Sequence, residues 1–493
     1  MSPSTLRTPW VPTESDPFDR RKAAHLLRRA GFGASAAEVD KAVAQGLEAT
    51  VEGLFDEAAD EEQDFQKLFS AVSRSLVNFA EIDGLRAWWA YRMRQTRVPL
   101  REKLTLFWHG HFATNEEKVG NSLLMHRQVE TIRRHAWGNV RDLTLAMAKD
   151  PAMLVWLDGE SSTREHPNEN FARELMELFT CGIGHYTEKD VREAARAFTG
   201  WHRDETAFSF NAEAHDPDRK HFLGKSGRFD GADVIDILMQ QPATPRFLAR
   251  KLLRFFATPE PSEPVVAEAA DLFARARLDV KWLLRDLFLS RYFYSGACYR
   301  QRLASPAEFV IGTLRALDVH APANTAVNHL NAMGQSLYAP PNVKGWDGEQ
   351  KWINSSTWAA RVAFAKEISE LAGGNELDAN LDLAQVVPAD LNDPAAVIDR
   401  LAAVLLPGEL PDDAKSDLVK LLVSAEPRNA EETAQAIGQG QLGLGQLLKM
   451  AFQGKKDDPR PDEDSFRDDQ GARNERSRRA LGVLLSLPEY HAY

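Results

Sequence analysis

Apolar positions recur at helical spacing along most of the chain. From Asp19 to Ala30 the pattern is helical, and "GFG" at 31–33 is a stop signal. The same period runs through 36–58 and 64–97, and Pro99 opens a further helix, "LREKLTLFWHGHF". "NSLLMHRQVETIRRHA" and "NVRDLTLAMAKDPAMLVWL" continue it, followed by 168–181, 187–201 and 231–257. "TPEPSEP" reads as a turn that caps the next helix, and helical periodicity continues to about 318. Strand signals are few, which predicts a mainly α fold.

Two polar stretches interrupt this rhythm. Residues 202–230 carry His202, His215 and His221 and read as a long loop of the kind that often carries function. "PPNVKGWDGEQKWINSSTW" at 340–358 is a second such loop, followed by a helix to about 372. The expected organisation is an extended arm over 1–17, a main helical domain over 18–372 holding the candidate site, and a smaller C-terminal helical group over 373–493. In that last group helices are predicted at 394–405, 412–425 and 430–453, with a charged, flexible loop over 454–477 before a final helix.

Composition narrows the function classes. Of 493 residues, 43% are hydrophobic and 27% charged, enough to bury a sizeable core, and the net charge is −12. An acidic chain is a poor match to duplex nucleic acid or to an anionic membrane surface. The two cysteines, Cys181 and Cys298, form no CxxC pair, which excludes a thiolate zinc site. Cys181, just before Gly182 at a predicted helix end, reads as a small buried thiol. No apolar run approaches ~18 residues, and the N-terminus lacks an apolar signal region. The expected compartment is therefore the cytoplasm, unless a signal-bearing partner carries the chain out.

Nine of the thirteen histidines fall between 109 and 221, which directs attention there. "FWHGHF" places His109 and His111 two apart. On a helix such residues point about 200° apart, so one ion can bind both only if the helix ends there, as Asn115 after "FAT" permits. The alternative is a pair of core histidines among Phe107, Trp108 and Phe112. In "HPNENFARELMELFTCGIGHY" Asn168 is a candidate N-cap, and Asn170, Arg173, Glu174 and Glu177 form one stripe. That stripe is either a solvated face with i+4 pairs or, with Glu169, the wall of an acid–base site. "HDPDRKHFLG" gathers His215, Asp216, Lys220 and His221, suited to a metal or an anionic sugar, or to an Asx-type turn. Asn342, Lys344, Trp346 and Asn354 in the second loop suit stacking on a ring with hydrogen bonds at its rim, or a loop plugged by tryptophan.

These stretches, together with "AAHLLRRAGFG" (23–33), "REKLTLFWHGHFAT" (101–114), "DVIDILMQQPATPRFLARKLLRFF" (233–256), "MGQSLYAPPNVKGWDGEQKWINSSTWAAR" (333–361) and "LLSLPEYHAY" (484–493), resemble the bacterial family catalogued as "domain of unknown function 1800". The likeness spans nearly the whole chain. It departs at Cys181, where leucine is common, and in "HDPDRKHFLG", which lacks the glycine that usually precedes the lysine. The resemblance implies a mainly helical fold but no established activity. It also implies a neighbouring partner that resembles secreted alkaline-phosphatase-like enzymes and carries a twin-arginine signal.

Two functional expectations follow. The first is an enzyme or enzyme-like binding protein acting on an envelope or extracellular, glycan-like polymer, with a divalent metal as candidate cofactor. His109, His111, Glu169, Arg173, Glu174, His215 and Asp216 would carry its chemistry. Lys220, Asn342, Lys344, Trp346 and Asn354 would hold substrate, and His109, His111 and Glu174 would ligate the metal. The second is a non-catalytic accessory or export partner of the phosphatase-like protein, in which the same residues form structural networks.

Overall fold

A computed structural model describes residues 6–57, 60–78, 81–371, 380–406, 410–423, 466–467 and 469–492. The fold is mainly helical, and local chemistry sets where each helix begins and ends. Arg20–Ala30 is capped by the Asp19 carboxylate, which accepts from Lys22 N, and closes on Gly31 N–H donating to Leu27 O. Gly46 divides the next stretch into Ala36–Gln45 and Leu47–Gly53. Asp150 similarly divides Val140–Ala148 from Pro151–Trp156, accepting from Met153 N while Pro151 opens the second helix.

Residues 202–230 depart from the loop the sequence suggests. Trp201–Asp204 pairs antiparallel with Ala207–Phe210, and Lys220–Phe222 pairs antiparallel with Lys225–Gly227. The second hairpin turns through Leu223 and Gly224, both at positive φ (46° and 79°). Those angles suit the tight turn such short strands need. With a leucine in place of the usual Asn or Asp, that turn gives little signal in the sequence.

The N-terminal arm is docked. Leu6 and Trp10 are buried, Trp10 N–H donates to Leu289 O at 2.8 Å, and its indole N–H donates to Asp16 at 2.9 Å. At the centre lies Pro99–His111, buried on nearly every side. Its Leu104, Phe107 and Trp108 pack into one core with the 132–298 helices, while Leu106 packs into a second with residues 304–406 and the C-terminal helices. Glu102 accepts from Arg92 Nε (2.7 Å), Arg133 Nε (2.8 Å) and the Trp89 indole (2.9 Å). Lys103 and Arg302 both reach Glu308, at 2.6 and 3.0 Å.

In the C-terminal group, Pro394–Leu405 and Asp412–Val423 form as predicted. The final helix, Gln470–Ser486, starts earlier than expected, so 470–477 are helical rather than loop. Asp469 caps it, and Arg473 donates to Ala389 O at 2.9 Å, which ties the first turn down. The predicted helix at 430–453 and loop residues 454–465 lie outside the described residues. Among the described residues, no helix is long and apolar enough to cross a membrane.

Candidate functional site

The two histidines of "FWHGHF" face different surroundings. The His109 ring meets Trp89, Trp346 and Tyr338 edge-on, at centroid distances of 5.4, 5.7 and 6.1 Å. It is fully buried, neither ring nitrogen has a hydrogen-bond partner among the described residues, and burial pushes its pKa down to about 3. The Tyr338 hydroxyl and the Trp346 indole N–H beside it also lack partners.

His111 is committed at both nitrogens. Nε2 lies 3.1 Å from Phe179 O, which can only accept, so Nε2 carries the proton. Nδ1 therefore accepts from Lys251 Nζ at 2.8 Å. The expected set of His109, His111 and Glu174 is not brought together as a metal cluster among the described residues. The helix does end at His111, but its two rings diverge as i and i+2 positions must. Among the described residues, no group of three or more His, Cys, Asp or Glu side chains is placed to hold a metal ion.

The "NENFARELMELF" stripe is half-buried rather than solvated. Asn168 caps Glu169–Glu174 as expected, accepting from Asn170 N. From Leu175 to Thr180 the chain winds as a π-helix, a form that is rare and frequently sits at functional sites. Arg173 bonds both Glu188 oxygens (2.7 and 2.8 Å) and Glu169 (3.1 Å) instead of Glu177. Glu177 accepts from the Tyr186 hydroxyl at 3.1 Å. Glu174 has its pKa raised by burial and by the Glu177 charge, against the pull of Arg173 and Lys344. The chain leaves the π turn at Cys181, a buried thiol whose Sγ lies 3.4 Å from Met176 O.

The second special loop arrives at the same place. Asn115 caps its own short helix and also donates to Pro340 O at 3.1 Å, while Glu116 N donates to Tyr338 O. Asn342 Oδ1 accepts from Lys344 N at 2.8 Å, a local turn that presents the lysine. Lys344 is exposed and close enough to Glu174 to act on its charge. A groove of about 390 Å³ opens here. Lys344, Glu177 and Leu178 line it together with Arg246, Phe247 and Arg250 of the Ala243–Phe256 helix, the two arginines paired to Glu263. His185 and Ile183 sit on its edge.

Other candidate residues are placed elsewhere and used locally. Asn354 caps Ser355–Glu370, accepting from Ser356 N and Thr357 N. The His215–Lys220 turn is internally bonded. His215 Nδ1 lies 2.8 Å from Thr199 O, Asp216 accepts from Arg196 Nε at 2.6 Å, and the buried Lys220 ammonium donates to the Asp216 and Asp218 carbonyls. His215 Nδ1 and the Asp216 carboxylate are thus engaged by Thr199 and Arg196, and the Lys220 ammonium by the turn's own carbonyls.

The groove's far wall was not singled out in the sequence. Ala243, Arg246, Phe247 and Arg250 form an i, i+3, i+4, i+7 stripe within "PATPRFLARK", and Lys251 follows it. The signal was present as basic residues interrupting an amphipathic helix. No curated protein and no solved structure matches this chain. Over residues 25–492 it matches, and belongs to, the family described as "Protein of unknown function (DUF1800)".

Proposed function

We propose that this protein is an enzyme-like binding protein that takes an acidic, hydroxyl-bearing envelope or extracellular polymer of the glycan type into the groove beside the π-helical turn. The observation that carries this reading is that Lys344 and Glu177, from segments about 170 residues apart, line one groove, with Glu174 behind it near enough to feel the Lys344 charge. Lys344 suits anionic groups along the polymer, Arg246 and Arg250, both paired to Glu263, add positive charge beside it, and the Phe247 ring suits the apolar face of a sugar. Burial and the neighbouring Glu177 keep the Glu174 carboxyl protonated to higher pH than an ordinary glutamate, the state a general acid needs. Glu177, oriented by Tyr186, is the second carboxyl of the pair. Trp346 and His109 back the loop that carries Lys344.

The test is calorimetric titration with polygalacturonate, together with an assay for released reducing ends. The wild type is expected to bind, and Lys344→Ala to bind about tenfold more weakly, the cost of about one lost charge-assisted contact. Glu174→Gln is expected to keep binding and to release no reducing ends. Absence of wild-type binding, or equal affinity in Lys344→Ala, overturns this reading in favour of the accessory-partner one.

A further inference from the structure

Lys251 stands behind the groove, and the polymer reading gives it no task. Its Nζ donates to His111 Nδ1 at 2.8 Å and lies 3.4 Å from Leu178 O. It is 5.3 Å from the centre of the Phe247 ring. Leu178 and Phe247 both line the groove, and Lys251, itself outside that lining, is a half-buried residue directly behind them.

The surroundings are unusual for a lysine. His111 is fixed as an acceptor toward it, because Nε2–H is spent on Phe179 O. The charged group acting on Lys251 is a second cation, Arg254, on its own helix. Among the described residues no carboxylate makes an ion pair with it. Burial, with Arg254 adding to it, brings its pKa down to about 8, the combination that activates amine nucleophiles. Two acceptors fix two of the nitrogen's directions and leave a third.

We propose that Lys251 is a reactive amine that forms an imine with the carbonyl group of an aldehyde- or ketone-bearing anionic ligand seated in the groove. The neutral amine's lone pair forms the new C–N bond, and the carbonyl π pair moves to oxygen. One amine proton follows to that oxygen, giving a carbinolamine. The oxygen takes a further proton from solvent and leaves as water while the nitrogen lone pair closes the C=N bond. Hydrolysis reverses each step, and no oxidant or reductant takes part. His111 positions the amine by accepting one of its protons. Lys344 supplies charge for the ligand's anionic group. The proposal rests on the groove being open to ligands but not on a polymer filling it.

The experiment uses the intact wild-type protein, glyoxylate as probe and cyanoborohydride to trap the imine, followed by peptide mass spectrometry at a series of pH values. At pH 8, Lys251 is expected to take up label at least about tenfold faster than the exposed Lys189 and Lys225, because far more of it is unprotonated. Its rate should reach half its maximum near pH 8, and the advantage should vanish in urea. Labelling of Lys251 no faster than the exposed lysines, or an advantage that survives urea, overturns the proposal. Neither outcome depends on whether polygalacturonate binds.

Discussion

Gly345 backs onto the carbonyl of Gly110 so closely that a Cβ at 345 would lie 2.0 Å from Gly110 O. Gly345 also has a φ of 80°, a conformation L side chains rarely adopt. Gly110 in turn lies under the Trp346 ring, where a Cβ would stand 3.4 Å from the indole. This contact between two backbones joins "FWHGHF" to "NVKGW" and sets where Lys344 emerges beside Glu174. Gly345→Ala is expected to cost about 2–4 kcal/mol, combining the positive φ with overpacking. It should also weaken polygalacturonate binding at least as much as Lys344→Ala does. Urea denaturation and titration of the same variant check both, and an unchanged affinity would show that the loop is not held by this contact.

Glu102 answers to two buried arginines, Arg92 and Arg133, whose attraction and hydrogen bonds outweigh its burial and bring its pKa down to about 2. A depressed carboxyl stabilises the folded state above its ordinary pKa and loses that contribution as pH falls from about 4.5 to about 2. Linkage sets a ceiling of about 3 kcal/mol on this group's share. Glu102→Gln leaves the arginines without their shared counter-charge and is expected to cost about 3–5 kcal/mol at pH 7. The gap between wild type and variant in urea midpoints should narrow as pH drops through that window. A gap constant from pH 7 to pH 3 would mean that the carboxylate charge is not what matters.

The helices were legible because their signals are local. Pro99 and Asn168 start helices through groups within four residues of themselves, whereas the break at Asp150 went unread because the apolar period runs on through it. The meeting of Lys344 with Glu174 followed from no such signal, since it depends on Gly110 and Gly345 lying against each other across the fold. The π turn at Leu175–Thr180 was hidden because its apolar residues still read at ordinary helical spacing. "HDPDRKHFLG" looked like a site since the residues that pin a turn to Thr199 and Arg196 are also the residues of metal and sugar sites. Lys251 was overlooked because a lysine on an amphipathic helix normally reaches solvent, and only the packed structure aims it at His111.

His109 is the buried group with the least support from its neighbours. As a neutral ring it carries one N–H and one lone pair, and neither finds a partner among the described residues. Phenylalanine has nearly the same shape and suits the edge-on contacts with Trp89, Tyr338 and Trp346. Removing two unpartnered buried polar atoms is expected to raise stability by about 1 kcal/mol, the low end of the desolvation cost of such groups. The urea midpoint of His109→Phe reads this directly. A loss of more than about 1 kcal/mol would show that the nitrogens are bonded in solution and return His109 to the list of binding groups.

Asp150 runs opposite to Glu102. It is buried, accepts from Met153 N (3.0 Å) and Gln128 Nε2 (2.8 Å), and burial outweighs these bonds to push its pKa up to about 7. An acid whose folded-state pKa is raised binds its proton more tightly when folded. Stability is then lost as pH rises from the ordinary aspartate value toward 7, and the loss is complete above it. Asparagine keeps the Oδ1 that caps Pro151–Trp156 and carries no charge to desolvate. Asp150→Asn is therefore expected to stabilise the protein at pH 8 by about 1–4 kcal/mol, the upper figure being the linkage ceiling. At pH 4 the difference should be near zero. Urea midpoints at the two pH values decide it. Equal effects at both would place the gain in the hydrogen bonds of the cap, whereas a gain confined to high pH assigns it to the buried charge, which the Gln128 amide and the helix N-terminus stabilise only in part.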